Sequence, residues 1–361
     1  MPDELQRTPL YARHVESGGR LVPFAGWEMP VQYAGVIDEV RAVRTAAGVF
    51  DVSHMGQVQV DGSGAHAFLQ GVLSNDLDRL TPGHAQYTLL TNERGGIVDD
   101  LIAYRREAGY LLVVNAGNRA VDVAHLGARC PADATLVDES AAHGMLALQG
   151  PAALALLAPL CEGIDPPSAA PFTFAEARVA GIECTVARTG YTGEAGVELI
   201  CAATDVVELW DALIAAGAAP CGRGARDALR LEVCYPLHGN DITQDTNAIE
   251  AGLGWVCVAG KQYVGSDVLA RTRADGPKRK LVALRMDEER AVPRPGCPIL
   301  AGEDVVGAVT SGTFSPTLQR GIGLGYVPSD LAEPDTAIAV DVRGRTRAAH
   351  TARKPLYVKE T

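Results

Sequence analysis

The decapeptide Arg271-Thr-Arg-Ala-Asp-Gly-Pro-Lys-Arg-Lys280 puts five basic side chains and a Gly-Pro pair into ten positions. No element with a buried face continues through such a stretch, so the chain is expected to divide there. Beyond it, short apolar segments at Leu281–Met286, Val305–Thr310, Ile322–Val327 and Ala337–Val342 alternate with Gly and Pro turns. That spacing predicts a separate all-β domain of sandwich or barrel type. Before it, helical and strand patterns are mixed, which makes the class α+β.

In the first part, helices are predicted at Val36–Ala47, at Ala65–Leu73, at Ala152–Leu157 with Pro151 in its opening turn, at Asp205–Ala216 with Thr204 as cap, and at about Arg223–Val233. Strands are predicted at Tyr87–Thr91, Ile97–Arg105 and Tyr110–Asn115. Their short, turn-rich links make an antiparallel meander the economical arrangement.

Composition excludes several classes. The 361 residues suffice for two or three domains. Lys+Arg 32 against Asp+Glu 44 leaves a formal charge of -12, which repels nucleic acid and anionic lipid. Aromatic residues are 5% of the chain, too few for a base-stacking platform. The richest apolar run, Ala152–Leu160, is broken by Pro159 and falls far short of the roughly 20 residues a bilayer helix needs. Neither nucleic acid nor a membrane is therefore expected as a partner. The acidic, polar start Met1–Arg7 does not resemble a secretory signal, and the expected location is the cytoplasm. Eight cysteines occur singly, with no Cys-x-x-Cys, and are expected to be core thiols; no metal site is expected.

Several motifs fail their structural requirements. Gly321-Ile-Gly-Leu-Gly325 needs a helix after it to hold a dinucleotide, yet Tyr326-Val327-Pro328 continues as strand and turn. No Gly-x-Ser-x-Gly and no His-Glu-x-x-His occurs.

Three segments could carry chemistry. In Gly95-Gly-Ile-Val-Asp-Asp-Leu-Ile-Ala-Tyr104, strand alternation puts Val98, Asp100, Ile102 and Tyr104 on one face and Asp99 on the other. A carboxylate among apolar neighbours must find a partner or a use. Arg188-Thr-Gly-Tyr-Thr-Gly-Glu-Ala-Gly-Val-Glu198 is a glycine-rich loop between strands that presents Tyr191 and two glutamates, which a plain solvated hairpin would also explain. Arg223, Arg226 and Arg230 stand at i, i+3 and i+7, a basic stripe suited either to an anion or to salt bridges with Asp227 and Glu232.

Taken in order, Phe24-Ala-Gly-Trp-Glu-Met-Pro30, Gly48-Val-Phe-Asp-Val-Ser-His-Met55, the Gly-Gly-Ile-Val-Asp-Asp segment, Arg188–Glu198, Ala225-Arg-Asp-Ala-Leu-Arg-Leu-Glu232 and Leu237-His-Gly-Asn-Asp241 resemble the aminomethyltransferase (T-protein) family of the glycine cleavage system. The resemblance runs from Thr8 to Tyr357. It implies a three-lobed folate-binding fold, with two interwoven lobes over residues 1–275 and a C-terminal β-barrel domain over 280–361. It implies transfer of the one-carbon unit of an aminomethyl group, carried on the dihydrolipoyl arm of the H-protein, to tetrahydrofolate, giving 5,10-methylenetetrahydrofolate and ammonia.

Asp100 matches the family's catalytic aspartate. Tyr191 and Glu198 match pterin-site positions; Met55, Tyr87, Tyr104, Asn115 and Trp255 fall where the pocket lining is expected. Either Arg226 or Arg230 matches a folate-site arginine. The chain departs from the family at Val233-Cys-Tyr-Pro236 and at His238. A rival within the fold is a folate-dependent demethylase, and one of a different class is a non-catalytic folate-binding factor for iron-sulfur assembly. Against the latter, Lys261-Gln-Tyr-Val-Gly265 lacks the cysteine of that factor's motif.

Overall fold

The structure is a computed structural model that describes residues Leu5–Lys359; the start of the polar N-terminal stretch, residues 1–4, lies outside them. The chain forms two compact units. One contains residues 1–70, 77–87 and 101–226; the other contains 71–76, 88–100 and 227–361.

The first unit holds a seven-stranded sheet in the spatial order Cys161–Glu162, Phe174–Val179, Ile182–Ala187, Gly196–Ala202, His143–Gln149, Gly48–Asp51, Ala219–Pro220. Both edges are only two residues long. Helix Val206–Ala215 packs Val206, Leu209, Trp210 and Leu213 into a core that includes Val49, Leu146, Leu148, Val197 and Leu199. Thr204 does not cap this helix. Its hydroxyl donates to the carboxylate of its neighbour Asp205, which occupies the cap position. Pro151 likewise stands two residues before helix Ala153–Leu157 rather than within its first turn.

A five-stranded sheet has the order His84–Thr91, Ile97–Arg105, Tyr110–Val114, Gly56–Asp61, Thr135–Asp138. The expected meander is present. Tyr104 pairs with Leu111 and Ile102 with Val113, antiparallel. The turn before Ile97 requires glycine twice. Gly95 has φ +75°, and a Cβ on Gly96 would lie 1.9 Å from the Gln244 carbonyl oxygen.

The second unit contains a closed six-stranded barrel built from Arg279–Met286, Arg320–Pro328, Asp304–Ser315, Pro298–Ala301, Ala337–Asp341 and Thr346–Ala352. It closes where Ala283–Met286 pairs with Ala349–Ala352. Gly321, Gly323 and Gly325 lie inside Arg320–Pro328, paired on one side with Asp304–Ser315, so they are strand glycines. Two barrel strands, Pro298–Ala301 and Thr346–Ala352, escape the sequence pattern. The first is short and begins with proline, and the second is Thr-Arg-Ala-Ala-His-Thr-Ala with little apolar bulk. No helix among the described residues is long and apolar enough to cross a membrane.

Candidate functional site

The first unit gathers four of the residues singled out from the sequence. Tyr104, fully buried, places its hydroxyl 3.2 Å from Thr189 Oγ1, and Thr189 Oγ1 donates to Glu198 Oε2 at 2.6 Å. With the threonine proton committed to the carboxylate, the tyrosine hydroxyl is the donor of the first bond. Burial and the nearby Glu198 charge push the Tyr104 phenol well above its ordinary range, so it stays protonated and keeps donating. On the other carboxylate oxygen, Glu198 Oε1 faces Arg226 Nη2 at 3.9 Å, while the Arg226 guanidinium lies over the Tyr191 ring at 5.0 Å. The result is a connected set: Tyr104, Thr189, Glu198, Arg226, Tyr191.

The loop that carries Tyr191 is pinned rather than loose. Gln149 Nε2 donates to the Thr189 and Val197 carbonyls, and the Thr192 hydroxyl donates to Gln149 Oε1 at 2.8 Å. A side chain on Gly190 would strike that amide at 2.1 Å. Arg44 Nη1 bonds both the Thr192 carbonyl and Glu194 Oε1 at 2.8 Å, with both ionic side chains nearly enclosed. A solvated hairpin does not describe this loop, since Glu194 is ion-paired and Glu198 is buried.

Arg226 Nη1 is buried and has no hydrogen-bond partner among the described residues. Burial lowers the pKa of this arginine, opposed by Glu198 and Tyr191. Beside it, the His54 imidazole is pushed down to about 4 by burial, with the charges of Arg226 and Arg223 acting in the same direction and Asp51 against it. His54 is therefore neutral at pH 7. Its ring meets Phe24 edge-on, centroids 5.8 Å apart, and Arg223 caps the other partner by lying 4.4 Å over the Phe24 ring. Thr189, His54 and Phe24 were not singled out from the sequence, whereas Arg223 was, as the first member of the arginine stripe. Thr189 and His54 sit inside quoted motifs, where their flanking Gly, Tyr and Met drew the reading away from them.

Met55, Tyr87 and Asn115 are half-buried in the same unit. Asp100, Arg230 and Trp255 belong to the second. Alternation along Ile97–Arg105 is as expected: Asp99 is fully buried and Asp100 half-buried. Asp99 Oδ1 faces His238 Nδ1 at 3.9 Å, and His238 Nε2 reaches the Ile97 carbonyl at 3.2 Å. Arg230 is wholly enclosed, bonded to Asp227, to Asp241, to Ser311 Oγ and to the Tyr235 carbonyl. Trp255 lies on the short 3-10 helix Gly254–Val256 and is 69% exposed.

Comparison with known proteins finds similarity over nearly the whole chain. The family model described as GCVT N-terminal domain matches residues 10–261, and the glycine cleavage T-protein C-terminal barrel domain matches residues 279–357. An aminomethyltransferase of Geobacillus kaustophilus is 46% identical over 98% of this chain and 99% of its own length. One from Frankia alni is 48% identical over 98% of each. The crystal structure of the glycine cleavage system aminomethyltransferase T from Bartonella henselae superposes with a TM-score of 0.92 at 34% identity, covering 98% of this chain and 99% of that one. Architecture, motif order and full-length correspondence agree, and the chain belongs to the glycine cleavage T-protein, or aminomethyltransferase, family.

Proposed function

We propose that this chain is the aminomethyltransferase of the glycine cleavage system. It takes an aminomethyl group from the dihydrolipoyl arm of the H-protein and passes its carbon to tetrahydrofolate. The observation that carries this reading is the correspondence, end to end, with relatives named aminomethyltransferase. Those names do not favour the demethylase or the iron-sulfur factor. The reading includes a folate-binding region over residues 1–275, a barrel domain over 280–361, and a cytoplasmic location, where all eight cysteines, unpaired here, would stay reduced.

In the reaction, the carbon–nitrogen bond to the departing ammonia and the carbon–sulfur bond to the arm both break. Two carbon–nitrogen bonds to the folate form, and the two folate N–H protons end on ammonia and on the thiol. Positive charge develops on the one-carbon fragment as it leaves. A fixed carboxylate, assigned to Asp100, stabilises that charge and orients the nucleophilic nitrogen, so no covalent enzyme nucleophile is needed. Glu198, held by the Thr189 hydroxyl, accepts from pterin N–H groups, and Arg226, which borders the same carboxylate, lies over the Tyr191 ring. Met55, Tyr87, Tyr104, Asn115 and Trp255 are assigned to the pocket lining. The test is incubation of the pure protein with tetrahydrofolate and aminomethylated H-protein. Release of ammonia together with methylenetetrahydrofolate is the expected result, and the absence of both overturns the reading.

A further inference from the structure

Gln57 lies on strand Gly56–Asp61 and is fully buried. Its backbone is paired, with the N–H donating to Ser140 Oγ at 2.8 Å and the carbonyl accepting from Glu139 N at 2.9 Å. Its side-chain amide is not: neither Nε2 nor Oε1 has a hydrogen-bond partner among the described residues. Gln59, on the same face of the strand, shows the contrast. Its Oε1 accepts from Arg106 Nη1 at 2.9 Å and its Nε2 donates to Asp61 Oδ1 at 3.0 Å. An enclosed amide with both ends unmade costs the fold stability, and such a group calls for an explanation.

The sheet register says which face this side chain lies on. Gln57 is directly opposite Val113, and Val113 is opposite Ile102; Gln59 is opposite Leu111, and Leu111 is opposite Tyr104. Residues directly opposite share a face, so Gln57 lies on the face that carries Tyr104, the start of the hydrogen-bonded chain to Glu198. We propose that the Gln57 amide binds and orients the reduced pterin of tetrahydrofolate, donating through Nε2 and accepting through Oε1. This deepens the folate reading above and rests on it. A reduced pterin offers a lactam carbonyl and several N–H groups on one rigid plate, matching an amide that both donates and accepts.

The test uses Gln57→Leu and Gln57→Met, which keep the volume and remove the polar atoms, read by thermal unfolding and by anaerobic tetrahydrofolate titration without the H-protein. Because the amide bonds nothing among the described residues, both variants should match or exceed the parent melting temperature, by up to roughly 3 °C. They should bind tetrahydrofolate about 5- to 20-fold more weakly and raise the folate KM by a similar factor, with kcat changed much less. An unchanged dissociation constant in both variants overturns the proposal. So does a drop in melting temperature accompanying the weaker binding, since that marks a structural role. If the parent protein itself fails to bind tetrahydrofolate, the folate reading falls and takes the proposal with it, which separates the two failures.

Discussion

Arg230 Nη1 donates to Asp241 Oδ2 at 2.7 Å, with the two side chains 1% and 0% exposed. The same aspartate accepts from the Leu237 N–H and the Ser311 hydroxyl, and its other oxygen from the Thr310 hydroxyl. Arg230 is thus committed to holding Leu237–Asp241 against the barrel strand Asp304–Ser315. Arg226, one helical turn earlier, keeps a buried Nη1 without a hydrogen-bond partner among the described residues. Arg230→Met should cost about 3–5 kcal/mol of stability, the scale for stranding one member of a buried ion pair, measured by chemical denaturation. Arg226→Ala should leave the midpoint within experimental reach of the parent and weaken tetrahydrofolate by tenfold or more, about 1.4 kcal/mol or above. The reverse pattern would move the folate contact to Arg230.

Asp100→Asn keeps shape and removes charge. Turnover should fall by roughly 10²–10³ with folate binding changed much less, the scale for losing one preorganised electrostatic group. Asp99→Asn should affect turnover less, because Asp99 is turned to the opposite face, toward His238. Steady-state kinetics showing Asp99→Asn crippled and Asp100→Asn near normal would shift the strand assignment by one residue.

His54 links the site to pH. Its folded pKa of about 4 lies below the unfolded value near 6.5, so between those values the unfolded chain binds more protons. Stability is therefore full above pH 6.5 and declines as pH falls toward 4, by about 2 kcal/mol at pH 5. Asp51 is distinct. Although burial works against it, the His14, Ser53 and Thr8 hydrogen bonds hold its pKa below the ordinary carboxylate range, so its contribution is lost only in stronger acid. Melting curves at pH 7 and pH 5 should show a smaller gap for His54→Gln than for the parent. Equal gaps would mean that another group sets the slope.

Docking of the lipoyl partner should respond to local positive charge rather than to the net charge of -12. Of the basic residues Lys278, Arg279, Lys280, Arg343, Arg345 and Arg347, Arg279 is paired with Glu250 at 2.9 Å and Arg347 with Glu288 at 2.7 Å. Lys278→Glu with Lys280→Glu should weaken apparent affinity for the H-protein at low salt, and the difference should shrink as salt rises. Affinity indifferent to salt would remove the electrostatic account.

Local rules were readable wherever neighbours along the chain decide the outcome. Alternation separated Asp99 from Asp100, and helical spacing placed the three arginines on one stripe. The stripe could not say which arginine is consumed, because the deciding partners of Arg230, Asp241 and Ser311, come 11 and 81 residues later. Gln57 was silent for the same reason. Its neighbours Gly56 and Val58 say only that it lies on a strand, whereas its isolation depends on what the opposite strands and sheet leave unmet. Thr204 misled because a hydroxyl next to an aspartate has a nearer acceptor than the helix backbone.

The two-residue strands at the margins of the seven-stranded sheet have a consequence for behaviour at high concentration. Each edge offers a neighbouring chain almost no ladder to extend, and at Ala219–Pro220 one of the two residues has no N–H to give. The barrel, being closed, has no open margin at all. Growth of either sheet by addition of a foreign strand is blocked at its borders, so these two sheets resist fibrillar self-association as long as they stay folded.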